Sequence, residues 1–427
     1  MPLNMVSGDT RRALRLNVVE GAFAVASDNL AGPYLTLFAM AFQATPSQIG
    51  MLSAFPNLLG NILQIPYGML AETVRDKRIL CIVGGLLART SWILIAFLPF
   101  LFAPEKRIPI IILLASLRIV AANLGAPAWA ALQAGIVPKP IRGKYYANRN
   151  VVLNFCALLA TFAAGFLLEL PFPVNYYIIF GTAAVLGAAS THVFRTIPFP
   201  PPAAKSRGSW KSTVGLLRQF FQTVRGNKSF INYVYSAIVW NFGVTFLGTL
   251  TAVYFIEDLG GHEGAWAWVT AASLAAQTIC QRYWGTLADR FGPKNTMVLS
   301  GAAVCAVPIL WFLAPTSGAA IVVNFISGFL WGGYNLAAFN LLLEITPEDN
   351  RSMYIGAYNT FMGLATAVGP VLGGFTAELF GLRSIFLVSF VVQVVGLLMF
   401  NRGVSDSGYR KPSRKDLVPL RMPAKMQ

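Results

Sequence analysis

Long apolar runs, separated by short polar or basic segments, recur along the whole chain and constrain its fold more than any other feature. A helix needs about 20 apolar residues to cross the roughly 30 Å of hydrocarbon in a bilayer. Stretches of about that length predict an all-α membrane protein with twelve transmembrane helices. They cover residues 16–42, 48–70, 79–102, 108–137, 149–170, 174–195, 229–256, 264–288, 295–314, 319–343, 353–377 and 382–401.

Charge is sparse and unevenly placed. Only 12% of the residues are charged and 56% are apolar, which excludes an ordinary soluble domain. Because loops rich in Lys and Arg stay on the cytoplasmic side, we expect both termini there. The net charge of +16 then indicates topology and contact with anionic headgroups, and no binding of nucleic acid. Away from the cytoplasmic segments and the cytoplasmic ends of the spans, the basic residues are Lys106, Arg107 and Arg383 on the outer side and Arg89, Arg118 and Arg282 inside spans.

Composition divides the chain into four parts. Residues 1–195 and 229–402 each contain six predicted spans. Between them, residues 196–228 combine prolines with basic residues and are predicted to form a cytoplasmic linker. Within that linker, residues 210–225 have the apolar and basic faces of a helix lying in the membrane interface. Residues 403–427 are predicted to be a basic cytoplasmic tail.

An internal repeat relates the two halves. Residues 68–72, GMLAE, match residues 285–289, GTLAD, at a constant offset of 217. A second block, which pairs Arg142 with Arg351, repeats at a constant offset of 209. Repeats of this kind are typical of transporters built from two related bundles. The repeat therefore predicts two pseudo-symmetric six-helix bundles facing each other across a cavity.

Residues 285–295, GTLADRFGPKN, resemble the signature loop of the major facilitator superfamily. The first copy, at residues 68–78, matches less well because Thr73 stands where the motif has an arginine. The resemblance covers about residues 16–402 and implies the major facilitator fold, in which this loop latches the halves on the cytoplasmic side. Glycines would allow close helix approach there, and arginines would pair with the acids. The implied gate consists of Gly68, Glu72, Arg142, Gly285, Asp289, Arg290, Gly292 and Arg351.

No sequence motif for ATP hydrolysis or covalent catalysis is present. The chain has no G-x-x-x-x-G-K-[ST] loop and no G-x-S-x-G elbow, and it has two histidines. We therefore expect a transporter and not an enzyme, with no cofactor. A small molecule or an ion would be its substrate, moved by an ion gradient or by its own gradient. The chain would act as a monomer or as a member of a membrane complex.

Charged residues inside the spans are the candidate coupling groups, because each costs several kcal/mol in hydrocarbon unless it is paired or hydrated. Asp28 lies near the middle of the first span, beside Asn29. Arg118 matches the arginine of a second family motif that is associated with proton coupling. A rise of 1.5 Å per residue puts Asp28 about 2 Å inside the midplane and Arg118 about 7 Å outside it. That gap is close to the reach of an arginine, so the two can pair directly or through water. Arg89 is predicted to brace the N-terminal half.

Polar and aromatic residues in other spans are candidates for the walls of the cavity. In lipid, such side chains point toward protein or toward water, so interhelical bonding and substrate contact are both open to them. The candidates are Asn123 and Trp129 in span four, Asn241 in span seven, and Trp331, Tyr334 and Asn335 in span ten.

The substrate stays open at this stage. Residues 1–80 are similar to a magnetosome-membrane member of the superfamily that is thought to move iron, which implies iron transport for biomineralization in an inner or magnetosome membrane. Asp28 would then be a metal ligand, since hard iron cations prefer oxygen. One alternative is a proton-driven multidrug efflux antiporter. Residues 363–374, GLATAVGPVLGG, resemble an antiporter motif but fall in span eleven, where they predict a close-packed hinge. The second alternative is a non-transporting scaffold or sensor.

Overall fold

The computed structural model describes residues 8–137, 142–199, 226–346 and 351–404, and within these ranges every regular element is a helix. The helices of the N-terminal half are α1 (Gly8–Ala31), α2 (Leu35–Met40), α3 (Pro46–Ile62), α4 (Gln64–Thr73), α5 (Lys77–Leu101), α6 (Pro104–Ile136), α7 (Arg142–Leu168) and α8 (Val174–Thr196). Those of the C-terminal half are α9 (Lys228–Leu247), α10 (Leu250–Glu257), α11 (Glu263–Phe312), α12 (Ser317–Ile345), α13 (Arg351–Phe380) and α14 (Ser384–Gly403).

Local backbone chemistry explains where helices break. The first predicted span divides into α1 and α2 at the 3₁₀ turn Gly32–Tyr34, where Pro33 has no N–H to donate. Conversely, α11 covers the eighth and ninth predicted spans and turns sharply at Gly292, whose φ of 78° strongly favours glycine. The described helices thus trace the predicted spans. Nine segments within the described ranges are long and apolar enough to cross a membrane.

The two sides of the bundle differ. The side that carries the first and last described residues, called here the terminus side, also holds the start of α9, where Asn232 Nδ2 donates to Gly403 O at 2.7 Å. On the opposite, far side the halves are joined by Tyr176, whose hydroxyl donates to Glu263 Oε2 at 2.7 Å. A second bond joins them there, from Ser47 N–H to Glu378 Oε1 at 3.0 Å.

Glycines bring the halves together across α3 and α13. A Cβ on Gly374 would lie 2.5 Å from Pro46 O and 2.7 Å from Ser47 Cα, and a Cβ on Gly50 would clash with Pro370 O. Gly373 is similarly close to the backbone of α9. The close packing predicted for residues 363–374 is therefore confirmed, since backbones that touch leave no room for side chains.

Aromatic packing fixes α5 against α8 in the N-terminal half. The Trp92 ring stacks on the Phe180 ring with centroids 5.2 Å apart and planes 5° apart, and both side chains are buried. Phe180 also packs against Tyr176 and Phe38. Offset stacks of this kind add to the apolar burial. The other face of Trp92 is thereby held toward α6.

The boundaries proposed for the four parts stay predictions. Helix α8 ends at Thr196 and α9 begins at Lys228, which agrees with a linker between the halves. The proposed interfacial helix at residues 210–225 lies outside the described residues. So does the tail, apart from its first two residues.

The start of α5 is capped by Asp76. Its Oδ1 accepts from the Arg78 backbone N–H at 3.0 Å, and its Oδ2 accepts from the Arg78 guanidinium at 2.7 Å. Hydrogen bonding to Arg78 lowers the pKa of the Asp76 carboxyl below its ordinary value. The stabilisation is therefore complete above the unfolded pKa of about 3.9 and is lost as the pH falls through the lower, folded pKa.

We expect Asp76→Ala to destabilise the first turn of α5 by about 1 kcal/mol at neutral pH, because the cap is lost. Amide hydrogen exchange at the first turn of α5 measures this. Asp76→Asn is the matched control, since it keeps a capping oxygen but cannot titrate. Equal exchange in Asp76→Ala and the wild type at neutral pH would show that the cap contributes nothing.

Candidate functional site

Asp28 and Arg118 form a direct ion pair within the N-terminal half. Arg118 Nη1 lies 3.6 Å from Asp28 Oδ1, and the side chain of Asp28 is 65% exposed whereas that of Arg118 is 16% exposed. The Arg118 guanidinium also lies 4.5 Å from the centroid of the Trp92 ring, a cation–π distance. The direct geometry is the one realised, and the arginine points inward and does not extend to the surface.

Asp28 lines a cavity of about 300 Å³, called here the charged cavity, between α1, α5, α6 and α8. Glu20 lines it as well. Glu20 and Asp28 are about two turns apart on α1, and both residues line this cavity. The remaining wall includes Arg89, Trp129 and Ser190.

Glu20 is the centre of a buried polar cluster. Ser190 Oγ donates to Glu20 Oε1 at 3.1 Å, and Arg149 Nη2 lies 4.0 Å from Glu20 Oε2. Arg89 Nη2 donates to Ser190 Oγ at 3.3 Å, which ties α5 to α8 and agrees with the bracing role predicted for it. Glu20 and Arg149 are each 7% exposed. Their charges compensate each other in a medium where a single charge would be costly.

Glycines make room for both arginines. A Cβ on Gly21 would clash with the Arg149 guanidinium, and a Cβ on Gly187 would clash with the Arg89 side chain. Each long side chain therefore enters the bundle across a residue without a side chain. This explains how Arg149 reaches Glu20, and how Arg89 reaches Ser190 beside it, among packed helices.

A second cavity, of about 470 Å³ and called here the neutral cavity, lies mainly in the C-terminal half. Residues of α9 to α12 and α14 form its walls, and Pro33 and Thr36 of the N-terminal half close it on one side. Asp28 lies about one turn before Pro33 on the same broken span. The span therefore connects the charged cavity to the neutral cavity.

The structure brings some of the predicted site residues together and not others. Asp28, Arg118 and Trp129 lie around the charged cavity, with Arg149 5.7 Å from the Trp129 ring. Trp331 lines the neutral cavity, and Tyr334 packs between it and Trp240, fully stacked on the latter at 4.8 Å.

The predicted asparagines lie outside the residues that line the two cavities. Asn29 donates to Val25 O at 2.9 Å, and Asn241 donates to Ala237 O at 2.8 Å, so both bond along their own helices. Asn123 packs where Gly60 leaves space between α3 and α6. Asn335 is exposed on α12. Bonding within one helix was not among the alternatives that the sequence left open, and Asn241 adds a bond between helices, to Met362 Sδ at 3.3 Å.

The two motif glycines of the proposed gate do not bring helices together in this structure. A Cβ on Gly68 or Gly285 would meet nothing within 4 Å, so the expectation that these glycines serve a close helix approach is wrong here. Asp289 and Arg290 are exposed, and Gly292 provides the turn between the two halves of α11. The gate lies on the terminus side, away from the far-side contacts that hold the halves together. The side chains of Glu72, Arg142 and Arg351 lie outside the described part of the structure.

The metal site predicted at Asp28 lacks further ligands of the expected kind. Within the described ranges, no group of three or more His, Cys, Asp and Glu residues comes close enough to hold a metal ion. The group beside Asp28 is the Arg118 guanidinium, a positive charge. The carboxylate is therefore arranged for an ion pair.

Functional candidates in or beside these cavities were missed from the sequence. Arg149 had been assigned to a cytoplasmic end, and its entry into the bundle depends on Gly21, far away in the chain. Gln393 offered a readable signal, because it is an amide in the middle of an otherwise apolar span. Such residues face protein or a cavity in membranes.

Removing the Glu20 carboxylate should destabilise the fold. Glu20→Leu leaves Arg149 buried without a counter-charge, and we expect a loss of about 3 kcal/mol in the free energy of unfolding. Denaturation in mixed micelles measures it, with the exposed Glu105→Ala as a control that should change little. The double variant Glu20→Leu, Arg149→Met should recover part of the loss. A single variant as stable as the wild type would mean that the cluster is hydrated.

The comparison with protein families gives one match. The model of the Major Facilitator Superfamily matches residues 21–267 and 242–424, which together extend over most of the chain. Among curated proteins, the uncharacterized MFS-type transporter Rv1250 of Mycobacterium tuberculosis is 34% identical over 31% of this chain and 23% of its own length. Multidrug resistance protein MdtG of Dickeya zeae is 32% identical over 34% of this chain and 36% of its own length. The matched segments thus span about a quarter to a third of these relatives.

Solved structures share the fold over nearly the whole chain. A mutant of the nucleoside transporter NupG superposes with a TM-score of 0.74 and 13% identity, over 91% of this chain and all of its own. A bacterial homologue of the iron transporter ferroportin, in an inward-facing state, gives a TM-score of 0.73 and 13% identity, over 93% of this chain and 99% of its own. At such identity the likeness shows the fold alone. Together with the family match, it shows that the chain belongs to the Major Facilitator Superfamily.

Proposed function

We propose that this protein is a secondary transporter that moves a small solute by alternating access, with Asp28 and Arg118 as the coupling pair. The observation that carries the proposal is an exposed carboxylate in direct contact with a buried guanidinium, at a cavity inside a membrane bundle. Ionisable groups at such depth are rare and mark ion or proton pathways.

The arrangement of the two halves supports alternating access. Glycine contacts and hydrogen bonds close the far side between α3 and α13 and between α8 and α11. On the terminus side, Gly68 and Gly285 face open space. A transporter of this kind opens and closes its cavity by rocking one bundle against the other. With the termini in the cytoplasm, as the basic residues predict, the structure corresponds to an inward-facing state.

The break between α1 and α2 gives the coupling pair a means to act on the cavity. A proton on Asp28 would remove its attraction to Arg118, and the helix continues from Asp28 into the turn at Gly32–Tyr34. Pro33 and Thr36, just beyond Asp28, contact the neutral cavity. A change of charge at Asp28 can therefore be transmitted to the interface between the halves over a short distance.

Reconstitution tests the transport activity itself. The purified full-length chain is placed in proteoliposomes, and a panel of labelled solutes is offered with and without an imposed proton gradient. We expect at least one solute to accumulate when the gradient is present. Flux of no solute, with or without the gradient, would support the scaffold or sensor alternative instead.

Iron is one candidate cargo, in a magnetosome or inner membrane. The exposed Asp28 carboxylate and the likeness of residues 1–80 to an iron-moving member of the superfamily support it. The neighbouring Arg118 and the lack of a three-ligand cluster in the described ranges weigh against tight iron binding. Iron accumulation in proteoliposomes that disappears with Asp28→Ala would support this cargo. Iron that neither binds nor moves would exclude it.

Multidrug efflux is the second candidate, and the neutral cavity favours it. Trp266, Trp311 and Trp331 present indole rings there, which suit apolar organic molecules. Relatives named as multidrug proteins include the efflux pump PmrA of Streptococcus pneumoniae, 28% identical over 31% of this chain and 34% of its own length. Extrusion of a fluorescent dye that collapses with a protonophore would support this function.

A further inference from the structure

The neutral cavity differs from the charged cavity in its chemistry. None of the described residues that line it is charged, although five helices of the C-terminal half contribute to it. Its walls combine indole rings with hydroxyl and amide groups, including Thr270, Gln277 and Asn324. Its volume of about 470 Å³ falls in the range of small-molecule sites.

Gln393 presents an unsatisfied acceptor at this cavity. The residue is 2% exposed, and its Oε1 has no hydrogen-bond partner among the described residues. The orientation of the amide is fixed by its other atom, because Nε2 donates to Ser389 Oγ at 2.8 Å. Ser389 Oγ in turn donates to Gly243 O at 2.6 Å, so it can accept from Gln393 but not donate to it. The oxygen of Gln393 is therefore a buried acceptor without a partner among the described residues, on a side chain that lines the cavity.

Thr249 adds a second unsatisfied group. Its Oγ1 is buried, has no partner within the described ranges, and lines the same cavity, next to the break between α9 and α10. A buried polar atom without a partner lowers the stability of the fold, because it has lost its hydrogen bonds to water. Two such atoms at one cavity are explained if a bound solute supplies the missing hydrogen bonds.

The lining also limits the charge of that solute. An ion moved from water to this site would lose its hydration and gain no counter-charge from the walls. A neutral molecule loses far less. An apolar or aromatic ring would be stabilised by Trp266, Trp311 and Trp331, since flat rings stack on indoles.

We propose that the neutral cavity binds an uncharged organic solute that has an aromatic or apolar ring and a hydroxyl or N–H group that donates to Gln393 Oε1. The proposal rests on the proposed function and names its substrate class. The two halves would then have different roles. Asp28 and Arg118 in the N-terminal half couple transport to the ion gradient, and the C-terminal half binds and selects the solute. Pro33 and Thr36 place the N-terminal half against the bound molecule.

Two matched probes test the charge of the solute. Phenyl β-D-glucoside is neutral and has a ring and hydroxyl groups, and phenyl β-D-glucuronide differs by one carboxylate. Radiolabelled binding to the full-length protein in detergent should show the glucoside binding at least about tenfold more tightly, which corresponds to about 1.4 kcal/mol. Equal or tighter binding of the glucuronide, or binding of neither probe at millimolar concentration, would overturn the proposal.

Variants test the two unsatisfied atoms. Gln393→Leu and, separately, Thr249→Val should each weaken binding of the glucoside by about fivefold to tenfold, the effect of one hydrogen bond. Thr278→Val is the control, because Thr278 is exposed on α11 and bonds to its own helix. If Gln393→Leu does not fold, the affinity of Thr249→Val for the glucoside tests the site by itself. Unchanged affinity in the folded variants contradicts the site.

The outcomes separate this proposal from the proposed function. If the glucoside binds through Gln393 but no solute crosses the membrane of proteoliposomes, the transport proposal fails and the site stands. If a solute is transported at the same rate in the wild type, Gln393→Leu and Thr249→Val, the site fails and the transport proposal stands.

Discussion

Asp28→Asn is expected to abolish accumulation of the solute against its gradient while exchange of solute across the membrane continues. Asparagine has nearly the volume of aspartate but cannot bind or release a proton at any pH where the protein is folded. Without that step, no free energy from the gradient reaches the solute. The transporter would then only equilibrate it.

Proteoliposomes with an imposed proton gradient measure the effect. Net accumulation of labelled solute should fall to the level of equilibration, and counterflow should stay within about threefold of the wild type, a change of less than 1 kcal/mol in the barrier. Asp9→Asn is the matched control, because Asp9 is exposed at the start of α1. Accumulation by Asp28→Asn equal to that of the wild type would remove Asp28 from the coupling mechanism.

The Asp28→Asn substitution also changes the surroundings of Arg118. With Asp28 neutral, its guanidinium keeps the Trp92 ring at 4.5 Å but loses its counter-charge. Loss of both accumulation and exchange in Asp28→Asn would therefore indicate a structural role for the pair, because an unpaired buried arginine perturbs its surroundings.

Gly374→Val is expected to prevent the halves from closing on the far side. The first added carbon would already lie 2.5 Å from Pro46 O and 2.7 Å from Ser47 Cα, both backbone atoms that cannot move without moving α3. Overpacking of this kind costs about 1–3 kcal/mol. Because the clash exists only when α3 and α13 are in contact, it should shift the population toward far-side opening by about 5–150-fold.

Distance measurements by electron paramagnetic resonance can detect the shift. Spin labels at Ala41→Cys and Leu379→Cys report on the far side, since both residues are exposed there. The distances should become longer in Gly374→Val. Gly181→Ala is the control, because a Cβ there meets nothing within 4 Å. Distances unchanged by Gly374→Val would show that this contact does not hold the far side closed. Labelling requires alanine at Cys81, Cys156, Cys280 and Cys305.

The coupling pair shows how far local reasoning reaches. The helical rise placed Asp28 and Arg118 within about the reach of an arginine, and the structure puts their side-chain atoms 3.6 Å apart. The same reasoning could not choose between a direct and a water-bridged pair. That choice depends on Trp92, which holds the guanidinium and is itself held by Phe180. The functional role of the pair stays a prediction.

At the proposed gate, by contrast, sequence reasoning did not locate the helix contacts that this structure shows. The repeated motif identified Gly68 and Gly285 as equivalent, but the expected close packing is absent there and is found at Gly374 and Gly50 instead. A motif records which residues can meet over the whole transport cycle. A single conformation shows one set of contacts, and in this one the far side is closed.

The sequence by itself determined the all-helical membrane architecture, the approximate positions of the spans and the family. These depend on hydropathy and backbone chemistry that act within about 20 neighbouring residues. Only the tertiary structure decided that Arg149 reaches Glu20 across Gly21 and that the two cavities differ in charge. It also showed that Gln393 Oε1 has no partner among the described residues. Those features arise where helices far apart in the chain meet, and packing at such contacts depends on the shapes of several side chains at once.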